Sequence, residues 1–190
     1  MEDTYEKILK AAYLVFSENG YENASLNKIK ETAGVSKGAI YHYFKSKDEL
    51  FYHVIKSYFE EFVKIFDQYS FDSLDKIKEF GFMAIDIYEQ DQKSQNITMV
   101  LFQQSLKNKE IKELLEEYIT KVLNKIGEKL QEISENGKLK EDVDINLLAQ
   151  KIFVTMDTLG LYISYGIKNI DVRRLWNDFI DDYISQYYKK

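Results

Sequence analysis

The chain of 190 residues has no cysteine and no proline, and only eight glycines. Without cysteine there is no disulfide, no thiolate metal site and no cysteine nucleophile, a usage compatible with a reducing compartment. Loop-rich and β-sandwich folds punctuate with proline and glycine, so their scarcity argues for long helices joined by short turns. No apolar run approaches the roughly 20 residues that a membrane helix needs. The opening stretch MEDTYEKILKAAYLVF is acidic and amphipathic, without the basic start and apolar stretch of a signal peptide. A soluble, cytoplasmic protein is therefore expected. Catalytic signatures are missing as well. There is no glycine-rich phosphate loop and no H-E-x-x-H, and the two histidines, His42 and His53, lie on different elements without metal-ligand spacing. No enzymatic activity, no metal and no cofactor are expected.

What is present is a normal globular share of hydrophobic residues, 45%, enough for one good-sized core or for a small domain joined to a larger one. The formal net charge is −6, but its distribution matters more. Residues 24–47 hold five lysines (28, 30, 37, 45 and 47) against one acid, Glu31. Phosphate binding needs a local positive surface, not a basic whole.

The basic stretch has its own architecture. Residues 4–19 read as a helix with Ile8, Ala12 and Phe16 on its inner face, ended by Asn19-Gly20. Ser25 caps a second helix over Leu26–Ala33, Gly34 supplies the positive φ of a sharp turn, and Ser36 caps a third from Lys37 to about Phe44. Small residues at Gly38 and Ala39 allow close approach to a groove. Lys37, Tyr41 and His42 beside them are donors for phosphates and bases. This is the helix-turn-helix layout. Ser46-Lys47-Asp48-Glu49 is a capping box that starts a long fourth helix, and Lys47 is the one residue there at odds with the positive end of the helix dipole. A phosphate at that end would remove the conflict.

From helix 1 with its N-G-Y corner through A-G-V-S-K-G-A-I-Y-H-Y-F-K-S-K-D-E-L, the block Ile8–Leu50 resembles the DNA-binding domain of the TetR family of transcriptional repressors. The resemblance covers about the first quarter of the chain. It implies that Ser25 and Lys28 meet phosphates at the start of helix 2. Ser36, Lys37, Gly38 and Ala39 would face bases or backbone, Tyr41 and His42 would bind phosphates, and Lys47 would clamp one from the start of helix 4. Lys30 departs from the family pattern, where alanine is common, and a lysine can bury its stem there while keeping its amine wet. Ala39 offers no hydrogen-bonding side chain and could touch only a thymine methyl.

Beyond Leu50 the periodicity predicts a long helix to about Tyr69, then helices over 74–91, about 97–106, 109–135, 145–165 and after Asp171, with a polar interval from Gln90 to Gln95. The expected fold is all-α, about nine helices. A three-helix helix-turn-helix domain (1–46) would precede a TetR-like effector-binding and dimerisation domain (47–190). Phe82, Met83, Tyr88, Met99, Phe102, Phe153, Met156 and Tyr162 form an inward aromatic and methionine supply, readable as plain core. In a TetR-like body they would line an apolar or aromatic effector's cavity. Asp157, inside the apolar run IFVTMDTLGLYISYG, is open between an interface or solvent-edge position and a ligand contact.

The family implies a homodimer through helices 8 and 9 that docks on palindromic double-stranded DNA. The function expected is that of a ligand-released repressor. A TetR-like activator, or a helical binding module with a vestigial reader, are the alternatives. Effector identity, operator sequence and regulated genes are not encoded in these patterns.

Overall fold

The computed structural model describes residues 3–189, and these form nine α-helices in chain order. They are α1 (Thr4–Asn23), α2 (Leu26–Ala33), α3 (Lys37–Tyr43), α4 (Lys47–Asp67), α5 (Leu74–Gln90), α6 (Gln92–Ser105), α7 (Lys109–Glu135), α8 (Ile145–Ser164) and α9 (Val172–Asp178). The all-α expectation is met. The caps expected at Ser25 and Ser36 are in place, and Ser73, Asp144 and Asp171 cap their helices in the same way, each accepting from the backbone N–H of the third helical residue. Gly20 (φ 73°) interrupts α1 where the N-G-Y corner predicts a stop, and Gly34 (φ 64°) makes the α2–α3 turn.

Two compact units result. The first joins the chain up to Phe62 with Lys93–Glu116. Its core is built from Ile8, Ala12, Val15 and Phe16 of α1, Ile29 and Ile40 of α2 and α3, and Leu50, Phe51, Val54 and Ile55 of α4. Phe16 meets Phe51 edge-on at 5.0 Å. The second unit holds Val63–Gln92 and the chain from Glu117 onward. There Phe66, Phe71 and Phe80 pack edge to face, and Trp176 is fully buried. Its indole N–H donates to the Lys78 carbonyl at 3.0 Å. A Cβ on Gly81 would lie only 2.0–2.4 Å from that indole, so α5 must carry glycine where α9 crosses it.

Three details differ from the periodicity reading. The polar stretch expected as an interval is mostly helical, since only Asp91 separates α5 from α6. Ser94, Gln95 and Thr98 of α6 are buried, and the Tyr13 and Ser94 hydroxyls meet at 3.4 Å. Tertiary partners thus hold as helix a sequence that reads as a linker. The last helix is not uniform: after α9 the chain passes through a wide π-type turn (Phe179–Tyr183) and a 3-10 turn (Ile184–Tyr187) that keep Ile180 and Ile184 buried. Finally, Leu139 and Tyr188 form an antiparallel bridge, with Lys140 N–H donating to the Tyr187 carbonyl and Lys189 N–H to the Lys138 carbonyl. No local alternation signals this pairing, because it joins segments almost fifty residues apart.

Candidate nucleic-acid interface

Helices α2 and α3 are short and individually marginal, so caps and packing carry them. Ile29 and Ile40 are fully buried, which pins α2 and α3 by their inner faces and turns the opposite faces outward. Ser25, Lys28, Ser36, Lys37, Gly38, Tyr41 and His42 are exposed, while Ala39 and Lys30 are half-buried. The Ser25 hydroxyl accepts from Lys28 N–H at 3.2 Å, and the Ser36 hydroxyl from Ala39 N–H at 3.1 Å. Each hydroxyl is left with its own hydrogen to donate outward. The Lys37 ammonium stands 5.7 Å from the Tyr41 ring centroid. At Gly38 a Cβ would meet only Ser36 Oγ at 3.8 Å. Nothing inside the chain demands glycine there, although it costs a helix about 1 kcal/mol relative to alanine. A cationic, hydroxyl-bearing surface with one side chain cut away is suited to a close-fitting polyanion.

Other residues that shape this surface were not singled out by sequence reasoning. Asn19 Oδ1 accepts from the Lys28 ammonium at 2.7 Å, and Asn19 Nδ2 donates to the Val15 carbonyl at 2.9 Å. The Tyr5 ring stacks on Phe44 at 5.4 Å, and its hydroxyl pairs with His53 Nδ1 at 3.1 Å, bracing the end of α3. The Ser46 half of the capping box at α4 forms as read, Glu49 N–H donating to Ser46 Oγ at 3.0 Å, while the Glu49 carboxylate takes the N–H of Lys45, one residue before the cap, at 2.6 Å. Tyr21 donates to the Asp48 carboxylate. Burial and that acceptor push the Tyr21 hydroxyl well above its ordinary value. Lys47 is half-buried, and its ammonium is directed at the carbonyls of Tyr21 (2.9 Å), Ala24 (3.2 Å) and Glu22 (3.5 Å).

The expected effector residues are divided between the two units. Met99 and Phe102 are half-buried on α6 in the first. In the second, Phe82 and Met83 of α5 and Phe153 and Met156 of α8 are half-buried against the core around Trp176. The Tyr88 ring lies over Gly160, where a Cβ would stand 3.3 Å away. Gly160 therefore serves contact between α8 and α5 within the chain. Tyr162 and Asp157 are exposed on α8. Part of the Asp157 side chain reaches solvent, yet the neighbouring atoms still desolvate its carboxyl and raise it above the usual carboxylate range. Much of the outer surface of α8 and the α9 segment is apolar: Val154 is 57%, Tyr165 54% and Leu175 50% exposed. Among the described residues there is no group of three or more His, Cys, Asp or Glu that could hold a metal ion, and no helix long and apolar enough to cross a membrane.

With this geometry in place, comparison with known proteins is informative. Residues 8–54 match the family model described as bacterial regulatory proteins, tetR family. Over 192 aligned residues the chain is 28% identical to the fatty acid metabolism regulator protein of Bacillus subtilis, covering 98% of this chain and 96% of that protein. The reader alone is 46% identical over 46 residues, 24% of each chain, to the HTH-type transcriptional repressor AcnR of Corynebacterium diphtheriae. Among solved structures, the transcriptional regulator FadR from Bacillus subtilis in complex with stearoyl-CoA superposes with a TM-score of 0.77 at 26% identity, over 93% of this chain and 96% of that one.

Proposed function

The chain belongs to the TetR family of DNA-binding transcriptional regulators, and from that premise we propose that it is a homodimeric, ligand-released repressor whose effector is a long-chain acyl thioester. The observation that supports the DNA contact best is the exposed row Lys28, Lys37, Tyr41 and His42 on capped α2 and α3. In this reading residues 1–46 bind the operator and 47–190 take the effector and the second copy. Ser25, Lys28, Tyr41 and His42 meet phosphates, while Ser36, Lys37, Gly38 and Ala39 face the groove. The acyl-thioester reading draws on the similarity, along nearly the whole chain, to a regulator solved with stearoyl-CoA. Half-buried aromatic and methionine side chains on α5 and α8 suit an alkyl chain.

The outer faces of α8 and α9 pair the two copies, since an exposed apolar surface of this kind marks an interaction site. Operator half-sites in the simplest dimer geometry lie about 34–36 Å apart. A ligand-driven change in reader spacing, transmitted along α4, then ends simultaneous docking. The protein acts in the cytoplasm, where its DNA and acyl thioesters meet it.

Selection of bound duplexes from random sequence, followed by titration with acyl-CoA esters of graded length, tests each part. Enrichment of a palindrome and its release by long-chain esters are expected. A palindrome that no ester releases sinks the effector assignment but keeps the repressor. Absence of any enriched duplex, with binding indifferent to salt, would point instead to a helical binding module with a vestigial reader.

A further inference from the structure

The 20 residues of α8 include two charged side chains, Lys151 and Asp157. They stand three residues before and three residues after Val154, which at 57% is the most exposed large apolar side chain of that helix. Positions three apart are neighbours on a helix surface, so the two charges flank Val154, one on each side. Asp157 is exposed there and Lys151 is half-buried.

The two charges are unequally provided for. The Lys151 ammonium donates to the Tyr187 hydroxyl at 2.8 Å and lies 5.3 and 5.2 Å from the ring centroids of Tyr183 and Tyr187. It is held in place at the edge of the face, and with three donors it keeps capacity for a further acceptor. Asp157 has no such support. Burial alone raises its carboxyl, and among the described residues no neighbouring cation lowers it. A carboxylate on a surface that a partner covers needs a cation from that partner.

A two-fold interface can supply one, because every contact of residue i with residue j is matched by j with i. Two α8 helices that cross antiparallel about Val154 bring together positions equally far on either side of it. Lys151 then faces Asp157 of the partner subunit, and the partner's Lys151 faces Asp157. Leu147 and Leu161, seven residues to either side, meet as an apolar pair, and Gln150 and Thr158, four to either side, as a polar one. A parallel crossing would instead set lysine against lysine and aspartate against aspartate, which costs affinity.

Resting on the reading that the outer faces of α8 and α9 join two copies, we propose that the homodimer is set antiparallel about Val154 by two reciprocal Lys151–Asp157 pairs, which fix its register and select an identical chain as partner. In the separate chain Asp157 is a desolvated charge; in the dimer it is half of a pair.

Charge exchange on the full chain tests this. Asp157→Lys leaves both flanking positions basic, and Lys151→Glu leaves both acidic, so each variant repels itself and complements the other. Sedimentation gives each dimer Kd, and native mass spectrometry with one variant labelled with nitrogen-15 identifies the mixed species. Wild type is expected to dimerise, and each variant alone to associate about tenfold more weakly or worse. An equimolar mixture should recover a heterodimer within about threefold of the wild-type Kd. A mixture no tighter than the single variants overturns the proposal, as does a single variant that pairs as tightly as wild type. If circular dichroism shows Lys151→Glu unfolded, Asp157→Asn decides the point with Lys151 untouched. It weakens the dimer if the pair exists; a tightened or unchanged dimer overturns the proposal. A wild type that stays monomeric at every concentration removes the dimer reading itself, whereas a wild-type dimer without rescue removes this inference alone.

Discussion

The two packing units use their polar side chains in different ways. In the first, the caps that set α2 and α3 act over three residues, Ser25 on Lys28 and Ser36 on Ala39. The outward faces of α2 and α3 expose Lys28 and Lys37. In the second, the decisive contacts join distant segments, such as Gly81 beneath Trp176, the Arg173 guanidinium on Asp86 and Glu89, and Leu139 opposite Tyr188. What remains exposed on α8 and α9 is apolar. A surface made for a polyanion can be set by local capping, because it needs only charge and a rigid frame. A surface of uncovered apolar side chains must be set by packing, because the whole fold decides which of them stay exposed.

The strongest way to break this contrast is to strike the long-range packing. Trp176→Ala should cost about 3–5 kcal/mol, since it empties the centre of the second core and orphans the Lys78 carbonyl. Gly81→Ala should approach that figure, at about 3 kcal/mol, because the new methyl overlaps a fully buried ring. Urea unfolding curves measure both, and a loss below about 1 kcal/mol for either would mean that α9 does not seal this core. Strikes on the reader should leave stability alone and remove affinity. Lys37→Ala and Tyr41→Ala should each weaken operator binding about tenfold, with unfolding midpoints unmoved, as fluorescence anisotropy and denaturation on the same samples would show.

Smaller effects sharpen the comparison. The Tyr188 hydroxyl is buried with no hydrogen-bond partner, and burial pushes it up to about 12. Tyr188→Phe removes an unsatisfied group and should stabilise the chain by about 1 kcal/mol; a destabilised variant would refute that account. The smallest effect is at Asp157. Burial raises its folded pKa, so the folded state binds a proton more readily than the unfolded one. The stability linked to that proton is fully present below the ordinary carboxylate pKa and is lost as pH rises through the raised folded value. Asp157→Asn has no such loss. At dilutions that keep the chains separate, its Tm should exceed that of wild type near neutral pH and converge with it on acidification. A difference that stays constant with pH would assign the effect to something other than ionisation.

Most of the reader was legible in sequence because its signals are local. Serines at caps, Gly34 at a left-handed turn, Ile29 and Ile40 inward and the lysines outward are each decided by neighbours within four residues. Lys47 was legible as a residue in conflict with its own helix, though the carbonyls that receive it are more than twenty positions earlier. In the body, the helices of α5, α7 and α8 were readable from apolar periodicity. The start of α6 was not, because the buried Ser94 and Gln95 look like linker residues until the fold surrounds them. Gly160 shows the same limit: nothing in the run IFVTMDTLGLYISYG singles it out, while the fold lays the Tyr88 ring over it.

By itself, the sequence determined that this chain is helical, where its reader lies, and which charges that reader offers, since capping, turn chemistry and charge are properties of short segments. Tertiary structure alone decided where the Lys47 ammonium goes, why Gly81 cannot bear a side chain, how the C-terminal segment bends to keep Ile180 and Ile184 buried, and which apolar side chains stay exposed. The physical reason is range. Hydrogen bonds inside a turn are specified by residues a few positions apart, whereas desolvation and close packing depend on atoms that only the finished fold brings together.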